Sequence, residues 1–76
     1  MKEQEIIEKL KQENEEFKRL SEEHKSLDSK LVDIDKKRYL NSDEEIERKK
    51  LQKQKLIKKD KMAQLIRDYR RNLSSN

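Results

Sequence analysis

The sequence predicts an all-α protein: an antiparallel helical hairpin of the coiled-coil kind, which assembles further into a helix bundle. Three observations lead to this prediction. The 76-residue chain contains no glycine and no proline, and 50% of its residues are charged, a composition typical of long helices. Apolar residues recur at alternating steps of four and three, as in coiled coils. The two halves of the chain carry opposite net charge.

The first helix is expected over about residues 3–37, where apolar residues form a seam along one face. The apolar seam consists of Ile6, Leu10, Phe17, Leu20, Leu27, Leu31 and Ile34. Two of its positions are polar, Glu13 and His24. This regular spacing argues against a disordered chain, which the apolar fraction of 29% would otherwise allow.

A turn is expected over about residues 38–42, because the seam ends after Ile34. Ser42 and Glu45 have the spacing of a capping box, which starts a new helix. Asn41 tolerates left-handed backbone angles and could close the first helix. One continuous helix of about 110 Å is the competing architecture, and the broken seam argues against it.

The second helix is expected over about residues 43–71, followed by a frayed tail at 72–76. One of its faces carries Leu51, Met62, Leu65, Ile66, Tyr69 and Leu73, whereas Ile46, Leu56, Ile57 and Ala63 lie elsewhere around it. Apolar residues on several faces predict more than one neighbouring helix.

Charge indicates that the chain folds back on itself. Residues 1–45 contain 10 basic and 14 acidic residues, a net −4, whereas residues 46–76 contain 11 and 3, a net +8. Opposite charges beside an apolar seam select the partner helix. With a turn centred near residue 40, Phe17 would lie near Ala63.

A single domain over residues 1–76 is too small to bury a large core, so we expect a homo-oligomer, a dimer of hairpins.

The composition also narrows the classes of function. The chain has no cysteine and one histidine, so we expect neither a disulfide framework nor a zinc site. It has no apolar stretch long enough for a signal peptide or a membrane span, and a cytoplasmic location is expected. Two helices rarely form a catalytic pocket, and carboxylates such as Asp60 lack a cleft to shift their pKa. We therefore expect no enzyme activity and no cofactor.

His24 and Asp28 lie four residues apart on the same helix face. Their functional interpretation is a proton relay or a pH switch, because histidine titrates near neutrality. Their structural interpretation is a polar position in the seam that fixes helix register, as polar residues do in coiled-coil cores. The structural interpretation is favoured, and a single histidine without a second ligand argues against a metal site.

The second helix carries a dense basic run. It consists of Arg48, Lys49, Lys50, Lys53, Lys55, Lys58, Lys59 and Lys61. Such a run could bind nucleic-acid phosphates without sequence preference. The favoured interpretation is a solvated face beside an acidic helix, because aromatic residues are only 4% of the chain and no known reading module is present. Binding to an anionic membrane surface is not expected, because few apolar residues flank the run.

Two short motifs resemble a known family. Phe17, Leu20, His24, Leu27 and Asp28 form F-x-x-L-x-x-x-H-x-x-L-D, and Lys55, Leu56, Lys59 and Asp60 form K-L-x-x-K-D. Over about residues 15–66 the chain is similar to the YdcH-like family of short bacterial proteins of unknown function. The resemblance implies a bacterial cytoplasmic helical hairpin and gives these residues as motif positions without known activity. The chain departs from the family at Lys49 and Lys58, where leucines are expected.

Together these observations predict a module for protein–protein interaction or oligomerisation. Its structural residues include Leu31 of the apolar seam. The alternative is a nucleic-acid-binding accessory protein that uses the basic second helix.

Overall fold

The computed structural model describes residues 2–74 and contains three α-helices there. They are α1 (Glu3–Glu13), α2 (Glu15–Asp35) and α3 (Ser42–Ser74). The prediction of an all-α protein is confirmed for the described residues, which contain no strand. The longest dimension is 54 Å. This is close to the length of α3 alone at about 1.5 Å per residue, so the chain is not one continuous helix.

The prediction of one unbroken helix over residues 3–37 is wrong, because the chain leaves the helix at Asn14. This residue has an extended backbone, with φ −124° and ψ 108°. Its side-chain Oδ1 accepts a hydrogen bond from the backbone N–H of Phe17 at 3.0 Å. Asn14 is therefore the N-cap of α2, and Glu15 and Glu16 follow it at the positive end of the helix dipole.

The break at Asn14 brings α1 back over the last part of α3. Ile6 and Leu10 of α1 join Phe17 in a buried cluster. The half-buried residues packed against this cluster are Ile7, Met62, Leu65, Ile66 and Tyr69. A straight helix would carry Ile6 about 16 Å away from Phe17, past the four residues of this cluster that belong to α3. Burial of Ile6 and Leu10 therefore explains why the helix breaks where the seam continues.

The connection between α2 and α3 covers residues 36–41, so the turn begins two residues earlier than predicted. Asn41 starts α3 and does not close α2. Its Oδ1 accepts a hydrogen bond from the N–H of Glu44 at 2.8 Å, and the Glu44 Oε1 accepts one from the N–H of Asn41 at 3.2 Å. The capping box is thus one residue earlier than the Ser42 and Glu45 predicted for it. No described residue has a positive φ angle.

Helix α3 is longer than predicted and continues to Ser74. The frayed tail expected at 72–76 is therefore wrong for residues 72–74, while Ser75 and Asn76 lie outside the described residues. No glycine or proline interrupts the helix. The positive charge of Arg71 in its last turn interacts favourably with the negative end of the helix dipole.

The core consists of two clusters between α3 and the preceding helices. The open-end cluster is the one formed by Ile6, Leu10, Phe17 and the five residues packed against them. The turn-end cluster contains Leu27, Leu31 and Leu51, with the half-buried Ile34 against them. Leu20 is also buried, so the predicted seam is confirmed as the buried face of α1 and α2. Of its two polar positions, Glu13 is exposed and His24 is half-buried.

Candidate interaction surfaces

Three ion pairs join α2 to α3 around the turn-end cluster. The pairs are Asp35 with Arg48 (Oδ1 to Nε, 2.8 Å), Asp28 with Lys55 (Oδ1 to Nζ, 2.5 Å) and Glu23 with Lys58. Asp28 and Asp35 are seven residues apart and lie on the same side of α2, whereas Glu23 lies on the other side of the seam. The ion pairs therefore border the apolar seam on both sides.

Each of these pairs changes the titration of at least one partner. The hydrogen bond from Lys58 lowers the pKa of Glu23, and the hydrogen bond from Lys55 lowers the pKa of Asp28. The hydrogen bond to Asp35 raises the pKa of Arg48. Each of these shifts favours the charged form of the group that carries it, Glu23, Asp28 or Arg48.

A fourth ion pair spans the connection between α2 and α3. Lys37 donates a hydrogen bond to Glu44, which lowers the pKa of Glu44 and raises that of Lys37. Glu44 therefore bonds both to this lysine and to the backbone N–H of Asn41. Neither the N-cap Asn14 nor the ion pair between Lys37 and Glu44 was predicted from the sequence. The sequence does contain a signal for the two N-caps, Asn14 and Asn41, since each of these asparagines precedes acidic residues at a helix start.

His24 and Asp28 are not joined by a hydrogen bond in this structure. His24 lies half-buried at its seam position, and Asp28 accepts its hydrogen bond from Lys55. The charge of His24 makes only the smallest contribution to the lowered pKa of Asp28. Within residues 2–74, no three His, Asp or Glu side chains come together as a metal site would require.

The basic run divides into two sets. Arg48, Lys55 and Lys58 face α2 and are half-buried in the three ion pairs. The other members are exposed: Lys49, Lys50, Lys53, Lys59 and Lys61. The predicted neutralisation by an acidic helix therefore applies to the first set, and the second set faces solvent.

The motif residues of the family resemblance also include a buried set and an exposed set. Three of them are buried in the seam, namely Phe17, Leu20 and Leu27, and so is the seam residue Leu31, which lies outside the motifs. Leu56 is 58% exposed, and Asp60 is also exposed. The structure therefore does not bring Leu56 and Asp60 together with the seam.

Several large apolar side chains remain exposed near the ion pairs. Val32 follows Asp28 by one helical turn and is 48% exposed, and Leu56 follows Lys55 directly. Helical geometry places Val32 and Leu56 on the same side of the seam. We call these two residues the Val32–Leu56 face. Ile46 and Ile57 are 52% and 43% exposed on other parts of α3.

An open groove lies on the opposite side of the seam. Its lining residues are Glu23, Ser26, Leu27, Lys30, Gln54, Ile57 and Lys58. Only Leu27 and Ile57 contribute apolar side chains to it, so it differs from the enclosed, mostly apolar sites that hold small ligands.

Comparison with protein-family models finds no match for this chain, and comparisons with curated proteins and with solved structures find none either. The resemblance to the YdcH-like family therefore stays a prediction. Among the described helices, none has a stretch both long and apolar enough to cross a bilayer.

Proposed function

We propose that this chain is a protein–protein interaction module, an antiparallel helical hairpin that self-associates as a dimer of hairpins. The order of the ion pairs supports the antiparallel arrangement. Asp35 pairs with Arg48, and Glu23, earlier in the chain, pairs with Lys58, later in the chain. The capping box at Asn41 supports a new helix start after a short connection. A cysteine-free, highly charged chain of this kind suits the cytoplasm, which the proposal takes as its location.

The exposed area supports the need for a partner. The chain exposes 6255 Å². A compact monomer of 9.3 kDa exposes about 5,000 Å². The difference reflects an elongated body of 54 × 20 × 16 Å with a core along one line. Domains of this size commonly gain stability from a second chain.

The Val32–Leu56 face is the observation that carries the proposal. Val32 and Leu56 lie on different helices but on one side of the molecule, and both are about half exposed. Lys25 and Lys59 lie on this side, and the exposed Asp60 follows Leu56 by one helical turn, so its charges are of both signs. A two-fold contact brings the same surface of two copies together, so an acidic residue of one copy can face a lysine of the other.

Sedimentation equilibrium of the unaltered chain and of two matched variants tests the proposal. The unaltered chain should show a dimer whose population rises with concentration. Leu56→Asp should weaken the dimer at least tenfold, because a charge in an apolar contact loses its hydration. Ile46→Asp is the control, since Ile46 is similarly exposed, ten residues away and on another side of α3. It should leave the dimer unchanged.

A monomer at all concentrations up to the millimolar range would disprove self-association. Equal weakening by the two variants would disprove the assignment of the contact to the Val32–Leu56 face. Circular dichroism of each variant checks that its helices are retained.

A further inference from the structure

The outward side of α3 carries four exposed lysines, Lys49, Lys50, Lys53 and Lys61. We call them the outer lysine face. At about 3.6 residues per turn they fall within roughly a third of the circumference of the helix: Lys49 and Lys53 lie opposite the buried Leu51, and Lys50 and Lys61 lie about a quarter turn from it. They extend over about 18 Å along the axis, since each residue rises about 1.5 Å.

Lys49, Lys50 and Lys53 have no carboxylate of α1 or α2 as an ion-pair partner, and only Lys61 acts on one at longer range, through its contribution to the lowered pKa of Glu23. The carboxylates of α2 that reach α3 are Asp35, Asp28 and Glu23, and they pair with basic residues on the inward side. No ion pair of the described residues includes a member of the outer lysine face. Asp60 is the one acidic residue on this side of α3 between Lys49 and Lys61.

We propose that the outer lysine face binds the phosphate backbone of duplex nucleic acid without sequence preference. A duplex carries one negative charge per about 1.7 Å of its axis, a linear array that matches lysines arranged along a straight helix. The lysines are point charges on flexible stems, which suit phosphate contacts and not base reading. The face contains no aromatic residue on which unpaired bases could stack, and this favours a duplex over a single strand.

This binding does not rest on self-association. Leu56 lies seven residues after Lys49 and three after Lys53, so the two surfaces are adjacent on α3 and are separated by the measurements. Self-association is measured by sedimentation without nucleic acid, and duplex binding is measured at protein concentrations below dimer formation. Either proposal can therefore fail while the other holds.

Fluorescence anisotropy with a labelled duplex tests the proposal. Four phosphate contacts give a slope of log affinity against log salt of about −3.6, so affinity should fall about 150-fold between about 50 and 200 mM salt. A variant with glutamine at Lys49, Lys50, Lys53 and Lys61 should bind at least tenfold more weakly and lose most of this slope. Replacing the same four residues by arginine should preserve binding.

The matched control replaces four exposed lysines of α1 and α2 by glutamine: Lys9, Lys11, Lys18 and Lys30. It changes the net charge by the same amount and should weaken binding less than threefold. Equal weakening by both glutamine variants would show that net charge alone attracts the duplex and would overturn the proposal. So would the absence of binding at low salt, or tighter binding to poly-glutamate than to the duplex in direct competition.

Lysine acetylation of the unaltered chain gives an independent readout that needs no substitution. Duplex should slow acetylation of Lys49, Lys50, Lys53 and Lys61, measured by mass spectrometry, and leave Lys9 unaffected. Uniform protection, or none, would overturn the assignment.

Discussion

The two ends of the molecule hold their helices together in different ways. In the open-end cluster three helices converge, and Ile6 and Phe17 are fully buried. In the turn-end cluster two helices meet, and Leu27 and Leu51 each keep 8% of their surface exposed. The turn-end cluster is instead bordered by the three ion pairs between α2 and α3.

The difference shows what a third helix provides to a small core. At the open end, α1 covers the apolar side chains of α3 and deep burial supplies the stability. At the turn end only one layer of side chains separates two helices, and the flanking charges select which residues meet. Exposed ion pairs contribute little stability, so the open-end cluster should account for the larger part of the free energy of unfolding.

Truncation of the core residues should have the largest effect. We expect Phe17→Ala to lower the free energy of unfolding by about 3–5 kcal/mol, because it removes a fully buried aromatic ring. Leu27→Ala should cost about 2 kcal/mol, at the low end for leucine, since Leu27 is less completely covered. Urea titrations followed by circular dichroism, at one fixed protein concentration, measure both values. A greater cost for Leu27→Ala would reverse the comparison between the two ends.

Removal of the helix caps should have an intermediate effect. We expect Asn14→Ala and Asn41→Ala each to cost about 1 kcal/mol, because each leaves a helix N-terminus without its side-chain acceptor. The two variants should differ in hydrogen exchange. Asn14→Ala should speed exchange of the amides of α1, whose position over α3 depends on the break, and Asn41→Ala should not. Unchanged exchange in α1 would show that burial alone fixes this helix.

Acidification should have the smallest effect and should act at the turn end. The pKa values of Glu23 and Asp28 are lowered in the folded chain, so their contribution is present above the ordinary carboxyl pKa of about 4. It is lost as pH falls through the lower, folded-state pKa. The melting temperature should therefore decrease between about pH 5 and pH 2, and the double variant Glu23→Gln, Asp28→Asn should show a weaker decrease.

The control for this measurement is the double variant Glu8→Gln, Glu22→Gln, whose carboxylates are exposed and take part in no described ion pair. It should keep the pH dependence of the unaltered chain. If both double variants flatten the dependence equally, overall charge and not the ion pairs determines it.

The apolar seam was predictable because its spacing is a direct consequence of helix geometry, and the structure buries the residues that the spacing selects. The break at Asn14 was not predicted: Asn14 before Glu15 and Glu16 is an N-cap signal, but the seam continues through it without a change of spacing. Only the position of Ile6 relative to the apolar residues of α3 makes the break favourable. That relation depends on tertiary packing, which a local pattern does not contain.

The residues of the basic run were predictable, but their division into a set that faces α2 and a set that faces solvent was not. The division depends on which basic residues face α2. Their direction could not be predicted, because the apolar residues of this 33-residue helix lie on several faces and do not define one inward side. The capping box was displaced by one residue for a similar reason. Asn41 and Ser42 are both favourable N-cap residues. In the structure the N-cap is Asn41, whose capping-box partner Glu44 also accepts a hydrogen bond from Lys37.

The position of α1 has a consequence for the order in which the chain folds. Contacts of the turn-end cluster close short loops, whereas Ile6 and Tyr69 are separated by roughly three times as many residues as Leu31 and Leu51. Closing the longer loop costs about 1 kcal/mol more in chain entropy unless the intervening helices have already formed. The helices should therefore join from the connection outward, and α1 should dock last. By the same reasoning α1 should be the first element to open in the native state, briefly exposing the apolar residues of α3 beneath it.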